Sequence, residues 1–208
     1  MRKDPFVTGE FYHIYNRGVD KRDVILNRRD LKRFFLGMCE FNAANQIGSL
    51  RDRVRQREAS LISNKKVKPL VNFLCYSLIP NHYHFILEQL VDGGIVNFMQ
   101  RWGTSYTNYF NTRYRRSGVL FQGKFKSAHI SDNERLLELS VYVNLNDRLH
   151  QYRSRTPVSL TKSKNGSLVK NSWDLYNSGE QGGDLVCNKN IILDQFDDLS
   201  QYKNFTDD

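Results

Sequence analysis

Residues 71–89 read VNFLCYSLIPNHYHFILEQ. Val71 to Leu78 is an apolar run rich in strand-favouring residues, and His82 to Glu88 is a second. Pro80-Asn81 interrupts them after too few residues for a crossover, so the two runs are expected to pair as an antiparallel hairpin. Alternate side chains of a strand share a face, which sends His82 and His84 one way and Tyr83 the other. Two imidazoles so placed can hold one divalent ion and leave positions for a phosphate oxygen and water. The same triplet also fits two histidines that simply face solvent. A third ligand of oxygen type would select Mg²⁺ or Mn²⁺ over structural zinc.

The elements on either side complete a fold class. Phe11 to Tyr15 reads as a strand closed by the turn signal Asn16-Arg17-Gly18. A helix follows, with Asn27 as N-cap, Asp30 in its first turn and Leu31, Phe34, Phe35, Met38 and Phe41 along one face. After the hairpin, Ile95, Phe98, Met99, Trp102, Tyr106, Tyr109 and Phe110 stripe a long helix, closed by a basic turn from Arg113 to Gly118. Val119 to Ile130 reads as a further strand. Ser131-Asp132-Asn133-Glu134 is a capping-box pattern, opening a helix that is expected to run to about Leu149. The first six elements give βαββαβ, a ferredoxin-like α+β fold: an antiparallel sheet with helices on one face. A C-terminal helix and an irregular tail follow. The expected organisation is a domain over 1–152, carrying a basic insertion at 45–69, and a polar extension over 153–208, with a short helix near Asn190 to Leu199.

Charge divides along the same boundary. Residues 1–155 hold 26 basic and 14 acidic side chains, whereas 156–208 hold 5 and 8. A concentrated positive field suits a polyanion, because neutralising phosphates releases condensed counterions. Arg17, Arg113, Arg115, Arg116, Lys124 and Lys126 are the candidate DNA contacts, with neighbouring aromatic rings as stacking surfaces for unpaired bases. Cys39, Cys75 and Cys187 are sparse and form no CxxC pair, which excludes a disulfide framework and fits a reducing cytoplasm. No run is apolar for long enough to span a bilayer, and no apolar segment follows the N-terminus. A cytoplasmic protein is expected.

On the last helix, Tyr142 and Asn146 stand four residues apart and are expected to share a face. That spacing offers a hydroxyl and, one turn on, an amide oxygen for a metal; a tyrosine packed on the sheet and an asparagine near a helix end would read the same. Tyr106 and Tyr109 belong to an apolar stripe, Tyr114 to a basic turn where it is expected to meet DNA, and His13 and His129 to strands.

Five segments in this order resemble a known family. They are Phe11-Tyr12-His13-Ile14-Tyr15-Asn16-Arg17-Gly18, Pro80-Asn81-His82-Tyr83-His84, Arg113-Tyr114-Arg115-Arg116-Ser117-Gly118, Phe121-Gln122-Gly123-Lys124-Phe125-Lys126-Ser127 and Tyr142-Val143-Asn144-Leu145-Asn146. Together they resemble the HUH single-tyrosine transposases, most closely the REP-associated tyrosine transposases of bacteria, over roughly residues 6–150. Lys170-Asn171-Ser172-Trp173 is a weaker match. The resemblance implies His82, His84 and Asn146 as ligands of one Mg²⁺ or Mn²⁺ ion and Tyr142 as nucleophile. It implies single-stranded DNA cleavage and strand transfer through a 5′-phosphotyrosine, on imperfect hairpins, by a monomer or a homodimer. The chain departs from the pattern in Asn146, often Gln in relatives, in Tyr83, usually a bulky aliphatic, and in Asp147, often Pro. Two other readings share parts of this pattern: a non-catalytic nucleic-acid module of the same fold, and a rolling-circle initiator or relaxase.

Overall fold

The computed structural model describes residues 5–45, 50, 68–146, 168, 170–173, 176, 187–198, 200–202 and 205. The basic insertion at 45–69 lies almost wholly outside them. The elements are β1 (Phe11–Arg17), α1 (Arg28–Phe41), β2 (Val71–Ile79), β3 (His82–Gln89), α2 (Gly94–Arg113), β4 (Lys126–Ile130), α3 (Asn133–Asn144), β5 (Lys170–Asn171) and α4 (Asn190–Leu193). The strands form one sheet in the order β4-β1-β3-β2-β5, with every pair antiparallel. This is the ferredoxin-like order expected of βαββαβ, widened by β5 at one edge.

Alternation divides the strands between two layers. Tyr12, Ile14, Phe73, Tyr76, Leu78, Tyr83, Phe85 and Leu87 pack with Phe34, Met38, Ile95, Phe98, Trp102, Tyr106 and Phe110 of α1 and α2. Leu74, Cys75, Ile86 and Ile130 face the other way, against Leu136, Leu139 and Val143 of α3 and Tyr176, Ile192 and Tyr202 of the tail. Helices α1 and α2 thus share one face and α3 lies on the other. Gly37 allows the close approach of α1 to α2, since a Cβ there would sit 3.0 Å from Trp102 Cδ1.

Caps and turns follow local chemistry. Asn27 caps α1, accepting from the Arg29 and Asp30 amides. Asp30 is fully buried and accepts from the Leu26 amide (3.0 Å), the Tyr109 hydroxyl (2.8 Å) and the Tyr114 hydroxyl (2.6 Å), with Arg113 Nε at 3.5 Å. This network joins the start of α1 to the end of α2.

Several elements differ in detail from expectation, among them the tail helix, which spans only Asn190–Leu193. The first strand runs on through Arg17. β4 begins only at Lys126, because Gly118 and Gly123 take positive φ (84° and 68°) and the Gln122 amide turns back to the Arg17 carbonyl. The N-cap of α3 is Asp132, which accepts from the Arg135 amide, with Ser131 donating to Asp132 instead of capping. α3 ends at Asn144, with Leu145 as C-cap; Asn146 is helical again, and positions 147–149, over which the helix is expected to continue, lie outside the described residues.

The tail clasps the α3 layer. In β2 the register slips between Phe73 and Cys75, which puts Leu74 and Cys75 on the same face. The Leu74 carbonyl accepts from the Tyr176 hydroxyl (2.9 Å) and Cys187 Sγ (2.6 Å). Ser172 accepts from the Tyr76 amide and donates to Asn144 Oδ1 (2.6 Å), and Asn144 Nδ2 donates to the Tyr202 hydroxyl (3.0 Å). The signals for this docking are Trp173, Tyr176, Ile192 and Tyr202, apolar rings and branches spaced through an otherwise polar segment. Among the described residues no helix is long and apolar enough to cross a membrane.

Candidate active site

Two strands and one helix converge at one end of the α3 face. Pairing of β1 with β3 sets Tyr15 opposite His84 and Arg17 opposite His82. On β3, His82 and His84 share this face while Tyr83 is buried in the other layer, as alternation requires. Their imidazole centroids are 5.2 Å apart and nearly perpendicular. From α3, Tyr142 sets its ring edge against His84 at 5.5 Å. Tyr15, Asn16, Arg17, His82, His84, Gln122, Lys126 and Tyr142 line a cavity of about 270 Å³. Tyr142 stays 37 % exposed, so a bulky substrate has access to its hydroxyl.

Both histidines are fixed by the neighbours of their Nδ1 atoms. The Pro80-Asn81 turn is anchored where the Pro80 carbonyl accepts the Val24 and Ile25 amides and the Asn81 carbonyl accepts the Gly18 amide. Gly18 is required there for space, because a Cβ would collide with the Arg22 carbonyl. Asn81 Nδ2 donates to the Lys21 carbonyl at 3.3 Å, which orients Oδ1 as the acceptor for His82 Nδ1 at 2.5 Å. His84 Nδ1 meets His13 Nε2 at 2.9 Å, a buried pair. With Nδ1 protonated, each imidazole carries its lone pair on Nε2, the form that ligates a metal. Burial, with Arg135 nearby, lowers the pKa of His13 to about 4, so it is neutral near pH 7.

Two same-face imidazoles beside an open cavity fit a divalent ion with further oxygen ligands. Buried amides and hydroxyls normally find partners, yet Asn146 Oδ1 and Nδ2 have none among the described residues, and neither does Ser77 Oγ, whose residue pairs with His84. No cluster of three His, Cys, Asp or Glu side chains that could hold a metal occurs among the described residues.

The basic candidates divide. Arg17 and Lys126 line the cavity, and Arg17 Nε is buried with no partner among the described residues. Lys124 lines a larger groove of about 940 Å³ between α2 and the loop before β4. Arg113 pairs with Asp30, and Arg116 donates to Asn111 Oδ1 and the Val119 carbonyl. Arg115 is exposed in the same turn at φ 50°. The structure thus brings Arg17 and Lys126 to His82, His84 and Tyr142, and places the other four elsewhere. Tyr114, expected at the DNA, donates to Asp30. His13, Tyr15, Asn81 and Gln122 were not foreseen as site residues. The β1–β3 register is the signal for the first two, and the position of Asn81 before His82 is the signal for the third.

No protein-family model and no curated protein matches the chain. Among solved structures, a REP-associated tyrosine transposase bound to a REP hairpin matches 90 % of this chain and 94 % of that one, with a TM-score of 0.51 and 12 % sequence identity. The chain has that fold. The shared architecture agrees with the resemblance carried by the five sequence segments. His82, His84 and Tyr142 lie where the end of β3 meets α3.

Proposed function

We propose that this protein cuts and rejoins single-stranded DNA through a covalent bond to Tyr142, as a transposase-type enzyme acting on hairpins. The observation that carries the reading is the convergence of His82, His84 and Tyr142 on one cavity beside Arg17 and Lys126. The match to a structure whose protein is bound to a REP hairpin supports a DNA hairpin as partner.

The Tyr142 hydroxyl attacks phosphorus. The phosphorus–Tyr oxygen bond forms, the bond to the 3′-oxygen breaks, the phenolic proton is lost and the 3′-oxygen leaves and takes up a proton. The DNA remains as a 5′-phosphotyrosine that keeps the phosphodiester energy, so a 3′-hydroxyl can reverse the step and join strands. Only about one tyrosine in a thousand is phenolate at pH 7 by its ordinary pKa, so the attack needs electrostatic help. A divalent ion, Mg²⁺ or Mn²⁺, held by His82 and His84 supplies Lewis-acid polarisation of a non-bridging phosphate oxygen when bound. Asn146 is the family-implied third donor; its buried amide has no partner among the described residues, and it is not among the side chains lining the cavity. Arg17 and Lys126 hold the backbone phosphate against the pocket.

An RNA-binding domain of the same βαββαβ class reads bases on an open sheet face. Here α3 and the tail cover that face over Leu74, Cys75 and Ile86, and its histidine end lines a cavity. The test is a labelled hairpin with a single-stranded flank, incubated with Mn²⁺. Cleavage lost in His82→Ala, with hairpin affinity retained, is the expected result. Hairpin binding without cleavage in the wild-type chain, whatever the metal, would mark a binding module instead.

A further inference from the structure

Beside His84, on the same face of the sheet, lies a third and buried histidine. His13 sits on β1, 8 % exposed, with Nε2 2.9 Å from His84 Nδ1. It is not among the residues that line the cavity. Its ring also stacks 4.9 Å from Tyr15 and stands 6.2 Å, edge-on, from Tyr142. One imidazole therefore touches a candidate ligand, a wall of the cavity and the nucleophile.

We infer that His13 is a positioning residue that accepts a hydrogen bond from His84 Nδ1–H, so that Nε2 of His84 carries the lone pair that binds the metal. The inference rests on the metal reading of the site. Its chemistry mirrors Asn81 at His82, where an amide oxygen performs the same service. The two ligands thus receive acceptors from different places, His82 from the hairpin turn and His84 from the neighbouring strand. Outer partners of this kind fix ligand orientation and tautomer, and their loss typically weakens metal affinity about 10–100-fold.

The experiment compares the full-length wild-type chain with His13→Leu, which fills the site without an acceptor, and His13→Gln, whose amide oxygen can accept. Two readouts are taken. Imidazole ¹⁵N NMR of the metal-free protein reports the His84 tautomer, and Mn²⁺ titration followed by electron paramagnetic resonance reports affinity. Thermal unfolding and hairpin binding confirm that each variant is folded. The expected result is a proton on His84 Nδ1 in wild type, lost in His13→Leu together with about 10–100-fold of Mn²⁺ affinity, and both recovered in His13→Gln. A His13→Leu chain that binds Mn²⁺ as tightly as wild type overturns the role of His13, as does a wild-type His84 protonated at Nε2. A wild-type chain with the Nδ1–H tautomer that takes up no Mn²⁺ overturns the metal reading itself, and the positioning role with it.

Discussion

The two faces of the central sheet are made from alternate residues of the same strands and have opposite characters. On the α1–α2 face Tyr83, Phe85 and Trp102 interlock at ring distances of 4.7–5.5 Å, and the Trp102 indole donates to the Phe34 carbonyl. On the α3 face, His82 and His84 flank the same Tyr83 and open onto a cavity. One face is filled by interlocked rings around Tyr83; the other ends in a cavity beside the two histidines. The contrast shows how a strand can divide its work at single-residue resolution, since a shift of one position would exchange the two sets.

The strongest way to break this comparison is a crossed pair of truncations. His84→Ala should lower cleavage roughly a thousand-fold, since Lewis-acid help is worth several kcal/mol, while costing less stability than its opposite number. Trp102→Ala should cost about 3–5 kcal/mol by chemical denaturation. Equal stability losses at the two sites would erase the division. Next in size, Asp30→Ala leaves the Tyr109 and Tyr114 hydroxyls and the Leu26 amide without their acceptor. About 3 kcal/mol of stability should go, with cleavage per folded molecule unchanged, because this network lies apart from the cavity.

Alkaline unfolding tests the tail clasp on the α3 face. Burial raises the Tyr202 hydroxyl to about 12, while Ser140 and Asn144 pull the other way. Its folded pKa is above the unfolded value near 10, so its contribution is complete below pH 10 and is lost as pH rises through 12. The loss should approach roughly 3 kcal/mol in urea midpoints taken across that window, and Tyr202→Phe should flatten the slope. At neutral pH the smallest effect is expected: Tyr202→Phe leaves Asn144 Nδ2 without its acceptor and costs about 1–2 kcal/mol.

Local pattern made much of this legible. The β2–β3 hairpin follows from two apolar runs across Pro80-Asn81, the α1 start from Asn27, and the common direction of His82 and His84 from strand periodicity alone. What escaped was set by distant partners. Val119 to Phe125 has a strand's composition, yet Gly118 and Gly123 adopt turn conformations and Gln122 bonds Arg17. The end of α3 at Asn144 follows no strong breaker; Asn144 is held by Ser172 and Tyr202 from the tail. Tyr142 is exposed and Asn146 fully buried, a difference in burial that their four-residue spacing does not reveal. His13 reads as one more strand residue until the β1–β3 register sets it beside His84. The arginines of the 113–116 turn show what charge does not reveal: Arg113 pairs with Asp30, and Arg116 donates to Asn111 and the Val119 carbonyl.

The central claim is that Tyr142 takes the DNA strand. It is tested most directly by incubating the chain with a labelled single-stranded hairpin and Mn²⁺, isolating the SDS-resistant adduct and mapping the modified peptide by mass spectrometry. The account predicts a nucleotide 5′-phosphate on Tyr142 and no adduct from Tyr142→Phe. An adduct on another tyrosine, or one that survives Tyr142→Phe, would contradict it.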